Sequence, residues 1–322
     1  MREDLLKELE TAYEEQRRQN EAVEAARRME IQLHYPEIES AVQERQELIY
    51  GTIHRILEGN AKAEDLSRKM ADLNEKIGRL LIKNGKGREY LSPVYKCSVC
   101  KDTGYTGDPV KEPCECMRRA YQELLRKKIG LGSDDRERFE NYDSKLVPDE
   151  IVGNTGRSQR QITEYVCSMC RTWAEKYPDV QQRDILLTGN SGLGKTFMMR
   201  AMATRLIERG MNVLIVSAYT FLQMARKSYF DSETGVRELM EVPVLMLDDL
   251  GSEPLMQNIT VEQLFYLLNE RQSRGLSTVI STNLNLQELR ERYTERIVSR
   301  LNNPKNCLIL TLAGKDLRKL QR

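Results

Sequence analysis

Apolar positions change their period twice along this chain. Over the first ninety residues they recur at helical spacing, beginning with Leu5, Leu9 and Ala12, then Ala22, Ala25, Ala26 and Met29. Pro36 interrupts this pattern and suits the first turn of a second helix, where a missing N–H is no loss. Ile38, Ala41, Val42, Leu48, Ile49, Ile53 and Ile56 make the second stripe, which Gly59-Asn60 ends. Leu66, Met70, Leu73, Ile77 and Leu80 alternate steps of four and three, a short heptad seam closed by Asn84-Gly85-Lys86-Gly87. Three narrow stripes predict a thin bundle or hairpin over 1–90. Its faces pack on one another, or one flank stays free for another protein's helices. His34 and His54 lie here with no cysteine near and read as surface or packing residues.

The helical period stops over 91–128. Cys97-x-x-Cys100 and Cys114-x-Cys116 flank thirteen turn-rich residues that include Gly104, Gly107 and Pro113. Four thiolates satisfy a tetrahedral zinc ion, and so turn-rich an insert needs a metal to supply folding energy. A disulfide pair is the alternative. No open ligand position is apparent, which makes the site structural. Arg118, Arg119, Arg126, Lys127 and Lys128 follow on a basic helix, either a solvated face or a phosphate-binding one. A linker and lead-in segment covers 129–150, with Gly130 to Asp135 at its start and Pro148 near its end.

From 151 to 322 the period alternates between helix and strand. A helix from about Ser158 to Tyr177 carries Ile162, Val166, Met169, Cys170 and Trp173 on one side; Cys167 and Cys170 within it read as packing. Five apolar runs read as buried strands: Ile185–Leu187, Val213–Val216, Val244–Leu247, Thr278–Ser281 and Leu308–Leu312. Helical patterns separate them, two with capping-box signatures at Thr260/Gln263 and Asn285/Glu288. The alternation predicts an α/β domain with a parallel five-stranded sheet and ligands at its carboxyl edge.

Composition narrows the class. The net charge is only +1, so a nucleic-acid surface has to be local. Charges at Arg2, Glu3 and Asp4 oppose a signal peptide, and no apolar run approaches the ~20 residues of a membrane span. The seven cysteines are odd in number and unevenly spaced, as in a reduced cytoplasmic protein.

The chemistry gathers at the first strand. Gly189-Asn190-Ser191-Gly192-Leu193-Gly194-Lys195-Thr196 joins it to a helix running to Glu208 and Gly210, the strand–loop–helix setting of a phosphate loop. Its backbone N–H groups cradle ATP phosphates, Lys195 reaches the β- and γ-phosphates, and Thr196 holds magnesium. The strand Val244–Leu247 ends in two carboxylates, Asp248 for the magnesium shell and Asp249 to polarise water. Asn283, just past the fourth strand, is placed to orient that water, or else caps a turn. Arg296 and Arg300, four apart on a helix, offer a guanidinium to a neighbouring subunit's nucleotide, or simply pair with nearby glutamates.

Taken together, the phosphate loop, Leu247-Asp248-Asp249, Ser281-Thr282-Asn283 and Arg296-x-x-Ser299-Arg300 resemble the AAA+ ATPases, most of all the bacterial helicase loaders of the DnaC/DnaI type. Arg138-Phe139-Glu140-Asn141-Tyr142-Asp143 is similar to the lead-in of that family, and the cysteine cluster with Lys101-Asp102-Thr103-Gly104-Tyr105 is similar to the zinc-bearing region of its DnaI-like members. The resemblance covers about 95–315. It implies Asp249 as the acidic catalytic residue, Asn283 as first sensor, Arg300 as finger with Arg296 its helper, and no substantial helical lid. It also implies that Arg226, Lys227, Tyr229 and Phe230 face single-stranded DNA, where cations and rings suit phosphates and bases; read from the residues alone, the same stretch is equally a partly buried helix end. The function implied is ATP-switched loading of a replicative helicase hexamer onto single-stranded DNA, with the arm and zinc module gripping the helicase and the ATPase domain self-associating. A transposition helper of the IstB type, a small-molecule P-loop kinase and a non-catalytic nucleotide-binding adaptor are the competing readings.

Overall fold

The computed structural model describes residues 3–57, 63–131, 137–153, 155–230, 235–256 and 259–319, with the side chains of 52–66 and 227–237 outside the description. The chain divides into two compact units, Leu6–Met117 and a second formed by Met1–Leu5 with Arg118–Arg322.

Three helices make most of the first unit: α1 (Glu3–His34), α2 (Pro36–Leu57) and α3 (Ala63–Lys83). Pro36 opens α2, as its fixed φ and missing N–H dictate. Ile31, Ile38, Ala41, Val42, Ile77 and Leu81 form a small core, against which Tyr35, Leu80, Tyr90 and Leu91 pack. Leu73, Ile77 and Leu80 of the α3 seam are therefore packed, with Leu81 added to them, while the side chain of Leu66 lies outside the described residues. Of the stripe expected on α1, Leu5 and Leu9 are buried and the remainder is not used. Ala22, Ala25 and Ala26 face solvent, and Met29 is 61% exposed. Alanine has little area to bury, and the inward face of that helix instead carries Gln16, Asn20, Glu24, Arg27 and Glu30, which are held by polar contacts. A two-residue hairpin, β1 (Tyr105–Thr106) with β2 (Glu112–Pro113), leads into Cys114.

The second unit holds a parallel sheet in the order β4–β5–β6–β3–β7. Its strands are β3 (Asp184–Thr188), β4 (Val213–Ser217), β5 (Val244–Leu250), β6 (Ser277–Thr282) and β7 (Cys307–Thr311). Every residue of β3 and β6 is buried, which is why these strands read as unbroken apolar or small runs. Around the sheet lie α5 (Gln159–Lys176), α6 (Lys195–Glu208), α7 (Ala218–Phe230), α8 (Gly235–Glu241), α9 (Thr260–Ser273), α10 (Leu286–Tyr293) and α11 (Glu295–Leu301). Ser158 and Gln161 close a capping box on α5, and Asn285 and Glu288 close one on α10. The box expected at Thr260 is absent. Thr260 sits inside α9, and its hydroxyl instead holds the preceding turn, accepting from Met256 N at 2.9 Å and donating to Pro254 O at 3.2 Å.

The lead-in segment is fastened to α6. Arg200 pairs with Glu137 at 2.7 Å, Arg138 with Glu208 at 2.5 Å, and Arg205 with Glu140. Phe139 is buried beneath Arg171, whose guanidinium lies 5.5 Å from the ring centroid and donates to Phe139 O at 3.0 Å. The basic helix α4 (Glu115–Lys128) leaves Arg118, Arg119, Lys127 and Lys128 on its exposed side and buries Tyr121 and Leu125.

Candidate nucleotide site and metal centre

β3 sits between β6 and β7, so the loop after it emerges at the carboxyl edge where the flanking loops converge. Two of its glycines are demanded by space and by backbone. A Cβ on Gly189 (φ 134°) would lie 2.2 Å from Leu312 O, and one on Gly192 (φ 79°) would lie 1.8 Å from Asp316 Oδ1. Asn190 and Ser191 are exposed at the rim, Leu193 is buried, and Gly194 in the left-handed region forms the N-cap of α6. Lys195 and Thr196 are therefore the first residues of a helix whose amino end favours an anion.

Lys195 is folded inward. Its Nζ donates to Gly189 O at 2.5 Å, Asn190 O at 2.8 Å and Asn283 Oδ1 at 2.7 Å. Burial pulls this ammonium below its ordinary pKa; Asp249 and Asp248 push it back, and Arg318 adds repulsion. Thr196 Oγ1 lies 3.2 and 3.3 Å from the two oxygens of Asp248, a hydroxyl–carboxylate pair suited to a divalent cation. The register of β5 against β6 shifts between Leu247 and Leu250, and Asp249 there takes a positive φ of 58°. The shift turns the second carboxylate toward Asn283, whose Nδ2 donates to Asp249 Oδ1 at 2.7 Å. One amide thus joins the lysine of the loop to the second acid. A cavity of about 420 Å³ lies over these groups.

Three residues of this site escape sequence reasoning. Ser281 accepts from Asp249 N at 2.9 Å and donates to Asp248 Oδ1, so it fixes both acids. Asp316 and Arg318 follow β7. Leu317 N donates to Gly192 O at 3.0 Å, and Arg318 Nη2 donates to Ser191 Oγ at 2.8 Å and pairs with Asp316 at 3.1 Å. Arg318 lines the cavity. The signal available was topological: every loop that follows a parallel strand ends at the same edge.

Arg296 and Arg300 do not line that cavity. Arg296 is exposed; Arg300 donates to Asn269 Oδ1 at 2.6 Å, and its guanidinium stacks 4.3 Å from the Phe265 ring centroid. Arg226 is exposed on α7, while the side chains of Lys227, Tyr229 and Phe230 lie outside the described residues.

In the first unit, the sulfurs of Cys97, Cys100, Cys114 and Cys116 all lie within 4.8 Å of one another, with Cys97–Cys114 at 4.0 Å and Cys100–Cys116 at 3.4 Å. A zinc tetrahedron with Zn–S of about 2.3 Å has edges of about 3.8 Å, so the four fit a metal. All seven cysteines of the chain are free thiols. Backbone N–H groups of Cys100 and Val99 lower the Cys97 thiol to about 7, while burial pushes Cys116 up to about 12. A cation shared by the four would offset that burial. Among the described residues no helix is long and apolar enough to cross a membrane.

Residues 155–319 match the family described as IstB-like ATP binding protein. The replicative helicase loader DnaI of Bacillus subtilis is 23% identical over 252 residues, covering 72% of this chain and 79% of that protein. The replicative helicase loader DnaC of Escherichia coli is 24% identical over 140 residues, covering 42% of this chain and 56% of that protein, so the chain spans little more than half of it. A crystal structure of DnaI has a TM-score of 0.45 at 21% identity and covers 61% of this chain and 99% of its own.

Proposed function

This chain belongs to the family of IstB-like ATP binding proteins, and we propose that it is an ATPase that loads a replicative helicase onto single-stranded DNA. The observation that carries this reading is the extent of the similarity to DnaI. It covers 72% of the chain, more than the segment from 151 onward can supply, so it runs into the cysteine-bearing unit as well.

In this reading Lys195 leaves Asn283 and the loop carbonyls for the β- and γ-phosphates. Thr196 and Asp248 hold magnesium, and Arg318 adds a second cation at the cavity mouth. Asp249 accepts the proton of the attacking water, which Asn283 orients. The arginine finger is Arg300, given to a neighbouring subunit's nucleotide with Arg296 beside it, after it releases Asn269. Arg226, Lys227, Tyr229 and Phe230 meet the DNA strand, and zinc fills the four-cysteine site in a cytoplasmic protein. Hydrolysis changes affinity for helicase and DNA, so turnover is slow until the partners assemble.

The family description keeps one other reading open, a transposition helper acting beside a transposase. A pulldown with ATP from the native cell extract, read by mass spectrometry, separates the two. Recovery of the replicative helicase hexamer supports loading; recovery of a transposase without helicase overturns it.

A further inference from the structure

Helix α1 lacks the apolar stripe that would hold it by burial alone. Between Leu9 and Ile31, the buried position among its described residues is Asn20, an amide 8% exposed. Gln16 Nε2 donates to Asn20 Oδ1 at 2.9 Å, and Asn20 Nδ2 donates to Asp102 Oδ2 at 2.7 Å. Asp102 is 1% exposed and sits in the left-handed region at φ 58°. Its carboxylate also accepts from Lys96 N at 2.8 Å and Cys97 N at 2.7 Å. One buried anion therefore joins the middle of α1 to the backbone that presents the first cysteine.

Two more links lie on the same face of α1. The edge of the Tyr13 ring closes over Gly104, where an added Cβ would lie 3.6 Å from it, and burial together with the neighbouring Cys116 pushes the pKa of the Tyr13 phenol upward. Tyr105, at the start of the hairpin, donates its hydroxyl to Glu10 Oε1 at 2.8 Å. Positions 10, 13, 16 and 20 share one side of the helix, and each is tied directly or through a neighbour to a residue of the cysteine cluster or its hairpin.

We propose that α1 is a working part of the metal centre, with Tyr13 and Asp102 as its outer partners, so that metal binding at the four cysteines and docking of the middle of α1 form one coupled equilibrium. The inference rests on the metal reading above. A metal-bound thiolate is an anionic acceptor, and a phenol O–H brought to Cys116 would stabilise it. Asp102 fixes the backbone around Cys97, which keeps the N–H groups of Val99 and Cys100 on the Cys97 sulfur. Outer partners of this kind are worth about 10–100-fold in metal affinity. Linkage then requires that metal strengthen the docking of α1 by the same factor by which docking strengthens metal binding.

The test uses the full chain. Zinc affinity is measured by chelator competition in wild type, Tyr13→Phe and Asn20→Ala, and amide exchange is followed with zinc bound and after stripping. Each variant is expected to bind zinc about tenfold more weakly. Stripping is expected to raise exchange over residues 10–24 together with 97–116 and to leave 195–208 unchanged. In the cobalt-substituted protein, Tyr13→Phe shifts the thiolate-to-metal charge-transfer band, which a role in packing alone would not do. The proposal is overturned if both variants hold zinc within twofold of wild type, or if stripping leaves residues 10–24 as protected as before. Wild type that takes up no zinc under reducing conditions sinks the metal reading, and this inference with it, while ATP binding stands apart.

Discussion

Asn283 occupies the position on which most of the site's chemistry turns, because its amide bridges Lys195 and Asp249. In the proposed reaction, an anion that draws Lys195 away would free the amide oxygen to orient water beside Asp249. Asp249→Asn is therefore expected to keep ATP affinity and to slow hydrolysis by about 10²–10⁴, the usual worth of a positioned general base. Single-turnover measurements check this, and unchanged turnover moves the role elsewhere. Lys195→Ala is expected to abolish tight ATP binding and Arg318→Ala to weaken it severalfold through the loss of one outer cation; titration with a fluorescent ATP analogue ranks the three proteins. Lys195 was legible in the sequence from the glycine-rich loop motif, and Asp248, Asp249 and Asn283 because they stand at or beside a strand end, where a change of period marks the loop. Arg318 and Asp316 were not. Their contact with Ser191 and Gly192 depends on the register of β7 against β3, with Thr188 facing Thr311, and no spacing rule reports register between strands far apart in the chain.

At the scale of elements, the strands were legible as continuous apolar runs and the helix starts as caps, with Thr260 the exception. The face of α1 beyond Leu9 was not legible, since its apolar period there belongs mostly to alanines too small to hold a helix down. The cysteine cluster combines local parts, its turns, a short hairpin and four thiols, with distant ties from α1 through Asn20 and Glu10. Cys97→Ser or Cys114→Ser is expected to release about one zinc per chain and to unfold 91–128. ATP binding, which draws on none of these residues, is expected to persist. Metal analysis beside an ATP titration decides both points, and protein purified under reducing conditions without zinc would remove the metal.

For the whole molecule the question is whether one chain suffices. Arg300 lies outside its own chain's phosphate cavity and is engaged with Asn269 and Phe265, so a finger role requires a neighbour. Hydrolysis per chain should then rise with protein concentration, and Arg300→Ala should bind ATP normally and lose about 10³–10⁵ in rate, less if the basal rate is already low. Mixing is the sharper measurement. Asp249→Asn chains can donate Arg300, and Arg300→Ala chains keep the water site, so together they should recover activity that neither has alone. A mixture that assembles and stays inactive rules out the finger. The ion pairs along α6 carry a mechanical consequence. That helix begins at the phosphate loop, and toward its other end Arg205 and Glu208 clasp Glu140 and Arg138 of the lead-in strand of chain. With a nucleotide bound at the loop as proposed, it would be a lever loaded at one end and held at the other by residues 137–140. Fourteen residues make an arm of about 21 Å, so a tilt of about 5° swings its tip by about 2 Å. Removing both pairs with Arg138→Gln and Glu140→Gln is expected to leave ATP affinity as it was and, in the proposed loading reaction, to flatten the ATP-dependence of helicase binding.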